Sequence, residues 1–223
     1  MRYTGCDSES SRVAFDKAET KRCCERAGVP TPRWVVMEDP TADWPCDWEP
    51  PVVIKPVRQG SSVGLGVVKE HSGWRAALAE ALRHDHEALV EAWIPGRELT
   101  VGILAEEALP LVEVRPLAGN YDYHNKYTAG ATLYECPAVL DAETTRRVQE
   151  AALEAFRAVG GRDYARVDVM LDGELRPWVL EVNTLPGMTE TSLFPKAAAA
   201  AGLDFGLLCE TMVQLAVSRA NQT

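Results

Sequence analysis

Six cysteines in 223 residues, at positions 6, 23, 24, 46, 136 and 209, form neither a CxxC pair nor a regular framework. Their spacing argues against a disulfide-stapled scaffold and a thiolate zinc site, and reduced, cytoplasmic thiols are the default expectation. No signal-peptide pattern opens the sequence. No apolar run approaches the roughly 20 residues that cross a bilayer, so no membrane span is expected. Basic excess is lacking too: 23 Lys and Arg face 33 Asp and Glu, a formal charge of -10. Such a field repels nucleic acid and anionic membrane, although a local basic pocket for a phosphate remains compatible with it. There is no GxxxxGK[ST] loop and no GxGxxG opening a helix, so P-loop and Rossmann readings fail. The histidines at 71, 84, 86 and 124 show no metal-ligand spacing beyond His84-Asp85-His86 at a predicted polar helix end, and no Ser/His/Asp arrangement stands out. Repeats and low-complexity tracts are absent.

What is present is ordinary globular composition, 46% hydrophobic and 25% charged, enough for one large domain or two small ones. The most informative stretch is Leu180 to Thr189, where Glu181 and Asn183 end an apolar run, Trp178-Val179-Leu180. In a strand, residues two apart share a face, so Glu181 and Asn183 project together while Leu180 and Val182 are expected to face the core. Upstream, Arg166 and Asp168 alternate with apolar residues over 164–171, and Asp172-Gly173 reads as a hairpin turn between two antiparallel strands. Asp168, Glu181 and Asn183 would then offer oxygen ligands to one hard cation such as Mg²⁺. The same spacing also describes polar residues of an ordinary hairpin.

Other segments suggest two α+β units. Asp16 caps a predicted helix to Ala27, which Gly28 ends and Pro30 and Pro32 forbid from continuing. A strand near 34–37, a proline-rich surface loop over 38–51, a buried strand 52–55, a strand 64–69, a helix near 72–84 and a strand 88–94 follow. Gly96 is the expected hinge. Strands 98–104 and 109–114 open the second unit, then a polar loop over 117–135, of a length usual for lids. A helix from Asp141 to Val159, the acidic hairpin, and helices near 192–201 and 204–218 close the chain.

Lys55 at the end of an apolar strand, followed by the hydroxyl-bearing glycine loop 60–64, resembles a phosphate cradle. Glycines let backbone N–H groups approach anionic oxygens and the lysine adds charge. A glycine-rich hairpin turn explains the same residues. The strand 89–94 leading to Glu98 can sandwich an adenine and bond a ribose, or be an edge strand with polar ends. The loop 121–130 sets Lys126 among hydroxyls and amides, as a mobile cover for an anion or a solvated loop.

The combination, in order, of strand-lysine and Gly-Ser loop, the Val-Glu-x-Trp edge at 90–93, YDYxxKYTAGAT from Tyr121, RVDVM from Arg166 and EVNTLPGMT from Glu181 resembles the D-alanine–D-alanine ligases of the ATP-grasp superfamily. The likeness spans nearly the whole chain. It implies an α/β (α+β) ATP-grasp fold with the nucleotide between two subdomains, 17–95 (small) and 96–223 (catalytic, with lid loop 117–135), after a remnant linker over 1–16. It implies ATP and Mg²⁺, with Mn²⁺ as a substitute. By this resemblance, Lys17, Lys55 and Ser62 bind phosphates under the 60–64 loop, Glu91, Ala92, Trp93 and Ile94 form the adenine edge, Glu98 holds the ribose, and Lys126 reaches the γ-phosphate. Asp168, Glu181 and Asn183 match the metal ligands. Arg166 and the Gly187 N–H match the groups that stabilise the acyl-phosphate and tetrahedral intermediate, and Ser192 and Leu193 lie near the second D-alanine's carboxylate.

The implied reaction joins two D-alanines through an acyl-phosphate for peptidoglycan precursors, and Tyr127 leans toward an amide rather than an ester product. These ligases normally carry an N-terminal domain before the segment resembling Tyr3-Thr4-Gly5. It holds the first D-alanine and pins the lid through Tyr127 and Ser61. A homodimer or a chain supplying that domain are the implied partners. The competing expectations are an ATP-grasp ligase of other carboxylate or amine specificity, and a nucleotide-binding module inactive without that domain.

Overall fold

The computed structural model describes residues 3–45, 47–116 and 132–220 as a mixed helix and sheet fold. Two short helices come first, α1 (Ser8–Phe15) and α2 (Lys17–Ala27). The Asp7 carboxylate accepts the Ser10 N–H at α1, and Asp16 both ends α1 and caps α2 by accepting the Glu19 N–H. These caps satisfy amides that a helix N-terminus leaves without carbonyl partners. Gly28, at φ 74°, ends α2 in the left-handed conformation expected of it. The segment expected to be a linker thus contains a helix. Only Ser10 and Ala14 are buried in α1, so its sequence carries little apolar periodicity.

A first antiparallel sheet has the order β1 (Trp34–Met37), β4 (Ala88–Ala92), β2 (Val52–Pro56), β3 (Gly66–Val68). Val52, Ile54, Ala88 and Val90 bury one face against Trp74, Leu78 and Ala81 of α3 (Trp74–Leu82). The pleat turns Val53, Lys55 and Glu91 toward the opposite side, where they line a cleft. Strand β3 is shorter than the expected 64–69 because turns occupy 61–64, and β4 stops at Ala92 rather than 94.

The second antiparallel sheet runs β10 (Pro177–Asn183), β9 (Tyr164–Asp172), β5 (Gly96–Leu104), β7 (Val112–Pro116), β8 (Thr132–Glu135), with β6 (Glu107–Ala108) on β5. Helix α4 (Ala142–Ala158), capped by Asp141, presents Val148, Ala151, Ala152, Ala155 and Phe156 to Leu99, Val101, Val167 and Val169. Helices α5 (Leu193–Ala200) and α6 (Phe205–Ala220) complete a third cluster around Phe194, Leu208 and Val112. A Cβ at Gly102 would come within 3.0 Å of Phe194 Cδ2, so the glycine admits α5 close to β5. The end of the expected loop 117–135 is strand β8, paired with β7 from Glu135↔Glu113 to Thr132↔Pro116.

Helix α2 touches both sheets. Ala18 packs with Val57 and Leu89, whereas Cys23, Cys24 and Val29 enter the core under the second sheet. Just beyond it, the Val179 N–H donates to the Pro30 carbonyl (2.8 Å) and the Thr31 hydroxyl donates to the Val179 carbonyl (2.9 Å). Gly96, expected as a hinge, pairs with Asp172 within the second sheet, and a Cβ there would lie 2.0 Å from the Leu171 carbonyl oxygen. Close backbone approach accounts for that glycine.

The hairpin is antiparallel as expected, but its turn covers 173–176 rather than the Asp172-Gly173 pair, and Leu175 takes the left-handed position at φ 60°. The Asp172 carboxylate holds this turn by accepting the N–H groups of Glu174 and Arg176 and the Trp178 indole N–H. The ladder is irregular: Val179 pairs with Val169 and Glu181 with Asp168, leaving Leu180 as an extra residue. Such a bulge interrupts strict alternation. Val179 and Val182 therefore fill the core, whereas Leu180 joins Glu181 in lining the cleft instead of facing inward as expected.

Candidate active site

Between the sheets lies a cleft of about 560 Å³, within the range of small-molecule sites. Its walls bring together Lys17, Lys55, Ser61, Ser62, Glu91, Ala92, Trp93, Ile94, Glu98, Asp168 and Glu181. Apolar Val53, Leu65, Val67, Met170 and Leu180 line the same space, giving apolar walls beside charged groups.

At one end, buried Glu91 lies 2.7 Å from the Lys55 ammonium and 2.6 Å from that of Lys21. Burial alone would raise this carboxyl; the two ammoniums outweigh it and hold it at about 2. Lys17, whose amine donates to the Val57 and Gln59 carbonyls, is pushed down by burial and by Lys55, while Glu181 and Glu91 oppose that shift. Three lysines around one carboxylate leave a cationic surplus facing the cleft, which suits an anion. Lys21 was not singled out by sequence; its signal is the four-residue spacing from Lys17 on one helix face.

The loop above is shaped by backbone as well as charge. Ser61 (φ 55°), Ser62 (φ 58°) and Gly64 (φ 69°) are all left-handed. Two consecutive non-glycine residues in that region store strain, a feature that clusters at ligand-binding loops. The loop's base is fixed by Arg58, which pairs with Asp16, Asp85 and Glu87.

Opposite the lysines, Glu181 and Asp168 face one another across the β9–β10 ladder. Arg166 makes a bidentate pair with Asp168, 2.8 Å to each oxygen, and the Thr100 hydroxyl donates to Oδ1 at 2.8 Å. Thr100, directly across from Asp168 in the β5–β9 register, was missed because strand pairing, not spacing, places it there. Asn183 donates its amide N–H groups to Asp168 (3.2 Å) and Glu181 (3.3 Å). It therefore turns nitrogen rather than the expected ligand oxygen toward the carboxylates; a half-turn of the amide exchanges the two. Among the described residues no group of three His, Cys, Asp or Glu side chains forms a metal cage. With the Asn183 amide turned over, two facing carboxylates and one amide oxygen offer an all-oxygen donor set, and that set fits a hard divalent cation.

A second charged cluster borders the cleft beside Glu98. Buried Glu113 accepts from Arg97 (2.9 and 2.5 Å) and Arg115 (2.8 Å), and these bonds hold its carboxyl at about 2 despite its burial. None of these three carried a sequence motif.

Gly187, Ser192 and Leu193 do not line the cleft; Gly187 and Ser192 lie in the segment leading into α5, and Leu193 is the first residue of that helix. The Ser192 hydroxyl accepts the Thr189 N–H at 3.1 Å, and a Cβ on Gly187 would strike Ser192 Oγ at 2.7 Å. Leu193 packs against the Phe194 cluster. Lys126 and Tyr127 lie outside the described residues.

The family profile described as "D-ala D-ala ligase C-terminus" matches residues 24–214. This chain belongs to that D-alanine–D-alanine ligase family. Among curated relatives, the D-alanine--D-alanine ligase of Methylacidiphilum infernorum is 48% identical over 217 residues, spanning 97% of this chain and 71% of that protein. The ligase of Aromatoleum aromaticum is 42% identical, over 95% and 69%. Among solved structures, a D-alanine–D-alanine ligase from Bacillus anthracis complexed with ATP superposes with TM-score 0.85 at 32% identity, over all of this chain and 72% of that one. The VanG D-Ala:D-Ser ligase of Enterococcus faecalis gives 0.81 at 30% identity, over 96% and 64%. The ATP-grasp fold expected from the ligase motifs is the fold observed.

Proposed function

We propose that this chain carries the ATP-dependent ligation of two D-alanines to D-alanyl-D-alanine, a peptidoglycan precursor. The observation that carries the reading is the cleft that sets Lys17 and Lys55 opposite Asp168 and Glu181 in a member of this ligase family. A carboxylate is a poor electrophile, so one D-alanine is activated first: its carboxylate oxygen attacks the γ-phosphorus of ATP and ADP leaves. The amine of the second D-alanine then attacks the acyl carbon, an amide bond forms, the amine gives up a proton and orthophosphate departs. No covalent protein nucleophile is needed; charge stabilisation is.

In this reading Lys17, Lys55 and Ser62 hold phosphate oxygens and Ser61 shapes the loop over them. Residues 91–94 border the adenine and Glu98 the ribose. Asp168, Glu181 and Asn183 would hold Mg²⁺, or Mn²⁺ in its place, which when bound neutralises phosphate charge. Arg166 orients Asp168 and supplies positive charge beside the reacting groups. Gly187, Ser192 and Leu193 serve the second substrate, and Lys126 and Tyr127 the cover. The division at Gly96 separates the nucleotide-gripping unit from the catalytic one. D-Alanine and ATP are the substrates, neither nucleic acid nor membrane is a partner, and the compartment is the cytoplasm. In support, the formal charge is -10 and the cysteines at 6, 23, 24, 136 and 209 are free. A second copy of this chain is the protein partner.

The test is product identification by mass after incubation with ATP, Mg²⁺ and a panel of D-alanine, D-serine, D-lactate and L-alanine. D-Alanyl-D-alanine as the main product is expected. A mixed dipeptide with D-serine, or a product without D-alanine, would replace this substrate assignment.

A further inference from the structure

Resting on the nucleotide reading above, we propose that Lys21 is a positioning residue for phosphate binding: by taking one oxygen of Glu91, it leaves Lys55 with uncancelled positive charge at the cleft. Lys21 is 1% exposed and does not line the cleft, whereas Lys55 and Glu91 do. Glu91 is held between the two ammoniums, Oε1 at 2.6 Å from Lys21 and Oε2 at 2.7 Å from Lys55. The Lys21 contact is an ion pair rather than an aligned hydrogen bond.

A buried ammonium is costly unless paired, and one lysine suffices to neutralise one carboxylate. The second lysine makes the cluster cationic. Because Lys21 is enclosed and Lys55 is not, the surplus charge is felt on the Lys55 side, in low-dielectric surroundings where it is poorly screened. Lys21 is itself held in place from the far side. Its amine donates to the Thr31 hydroxyl at 2.6 Å, which donates to the Val179 carbonyl at 2.9 Å, beside the Leu180 bulge. The phosphate lysine is thereby linked through Glu91, Lys21 and Thr31 to the strand that carries Glu181.

Calorimetric titration with ATP and, separately, with adenosine, both with Mg²⁺, separates this role from a merely structural one. Lys21→Met keeps the stem and removes the charge, so Glu91 pairs wholly with Lys55. The expected result is a loss of about tenfold or more in ATP affinity with adenosine affinity within about twofold. Lys21→Met combined with Glu91→Gln should recover most of the loss, because no carboxylate then cancels Lys55. Equal weakening of ATP and adenosine, no change in either, or no recovery in the double variant overturns the proposal. If Lys21→Met does not fold, Glu91→Gln alone carries the test: the affinity for ATP relative to adenosine must rise, and an unchanged or lower ratio overturns the proposal. A native chain that binds ATP no better than adenosine overturns the nucleotide reading beneath it, a separate result read before any variant is made.

Discussion

Glu181 stands directly across from Asp168 in the β9–β10 ladder, and it does so one residue after Leu180, which has no partner in that ladder. The extra residue lets Val179 and Val182 fill the core while Leu180 and Glu181 both reach the cleft. Deleting Leu180 closes the bulge without changing faces: Val179, Glu181, Val182 and Asn183 then alternate, and Glu181 stays across from Asp168. What the deletion removes is the Leu180 side chain from the cleft wall, so it and Leu180→Ala should lower ADP release by similar factors, each less than about tenfold. A deletion that costs about 100-fold while Leu180→Ala does not would mean that the bulged backbone itself positions Glu181.

Thr100 donates to the buried Asp168 carboxylate from the neighbouring strand. Thr100→Val preserves shape and deletes the donor, so it should cost about 1.5–3 kcal/mol of stability, as for a hydrogen bond to a charged group. Urea denaturation measures this. The same variant should lower turnover, because Asp168 loses one of the bonds that orient it.

Glu91 and Glu113 are each held at about 2 against an ordinary value of 4.5. A depressed carboxyl contributes stability that is fully present above its unfolded pKa and disappears as pH falls through the folded one. The contribution of these two groups should therefore be flat from pH 7 to 5 and decline from about pH 4.5 toward 2. Denaturation midpoints taken across that range should show the decline, and Glu113→Gln should make it shallower. An unaltered slope in that variant would mean its arginine pairs are not formed in solution.

Gly64 combines φ 69° with tight surroundings: an added Cβ would lie 2.8 Å from His84 Cδ2 and 2.9 Å from Pro56 Cγ. Gly64→Ala should shift the serine loop and weaken ATP binding by about tenfold, with a stability loss of about 1–3 kcal/mol. Gly173→Ala, where a Cβ meets nothing within 4 Å, is the stability comparison and should be close to neutral. Calorimetry and thermal melts on the two variants decide it.

Much of this fold was legible because local chemistry sets it. Asp16, Gly28 and Asp141 mark helix ends by capping, and the alternation around Asp168 marks a strand. Helix α1 was not legible, since two buried positions in eight give no apolar stripe. Strand β8 exposes Leu133 and Tyr134 and reads like a loop until β7 supplies its partner. The bulge at Leu180 is a property of strand register, and register is a relation between two segments. Within the site, residues with their own motif, such as Lys55, Glu91, Asp168 and Glu181, were found by sequence. Lys21, Thr100 and Glu113 were not, because each acquires its role from a residue on another element: Glu91, Asp168 and the Arg97–Arg115 pair.

The most direct measurement is D-alanine-stimulated ADP release by this chain with ATP and Mg²⁺, beside Asp168→Ala and Glu181→Ala. The account predicts ADP release that rises with D-alanine in the native chain and falls by about 100-fold or more in both variants. Release that ignores D-alanine, or that survives in either variant, would contradict it.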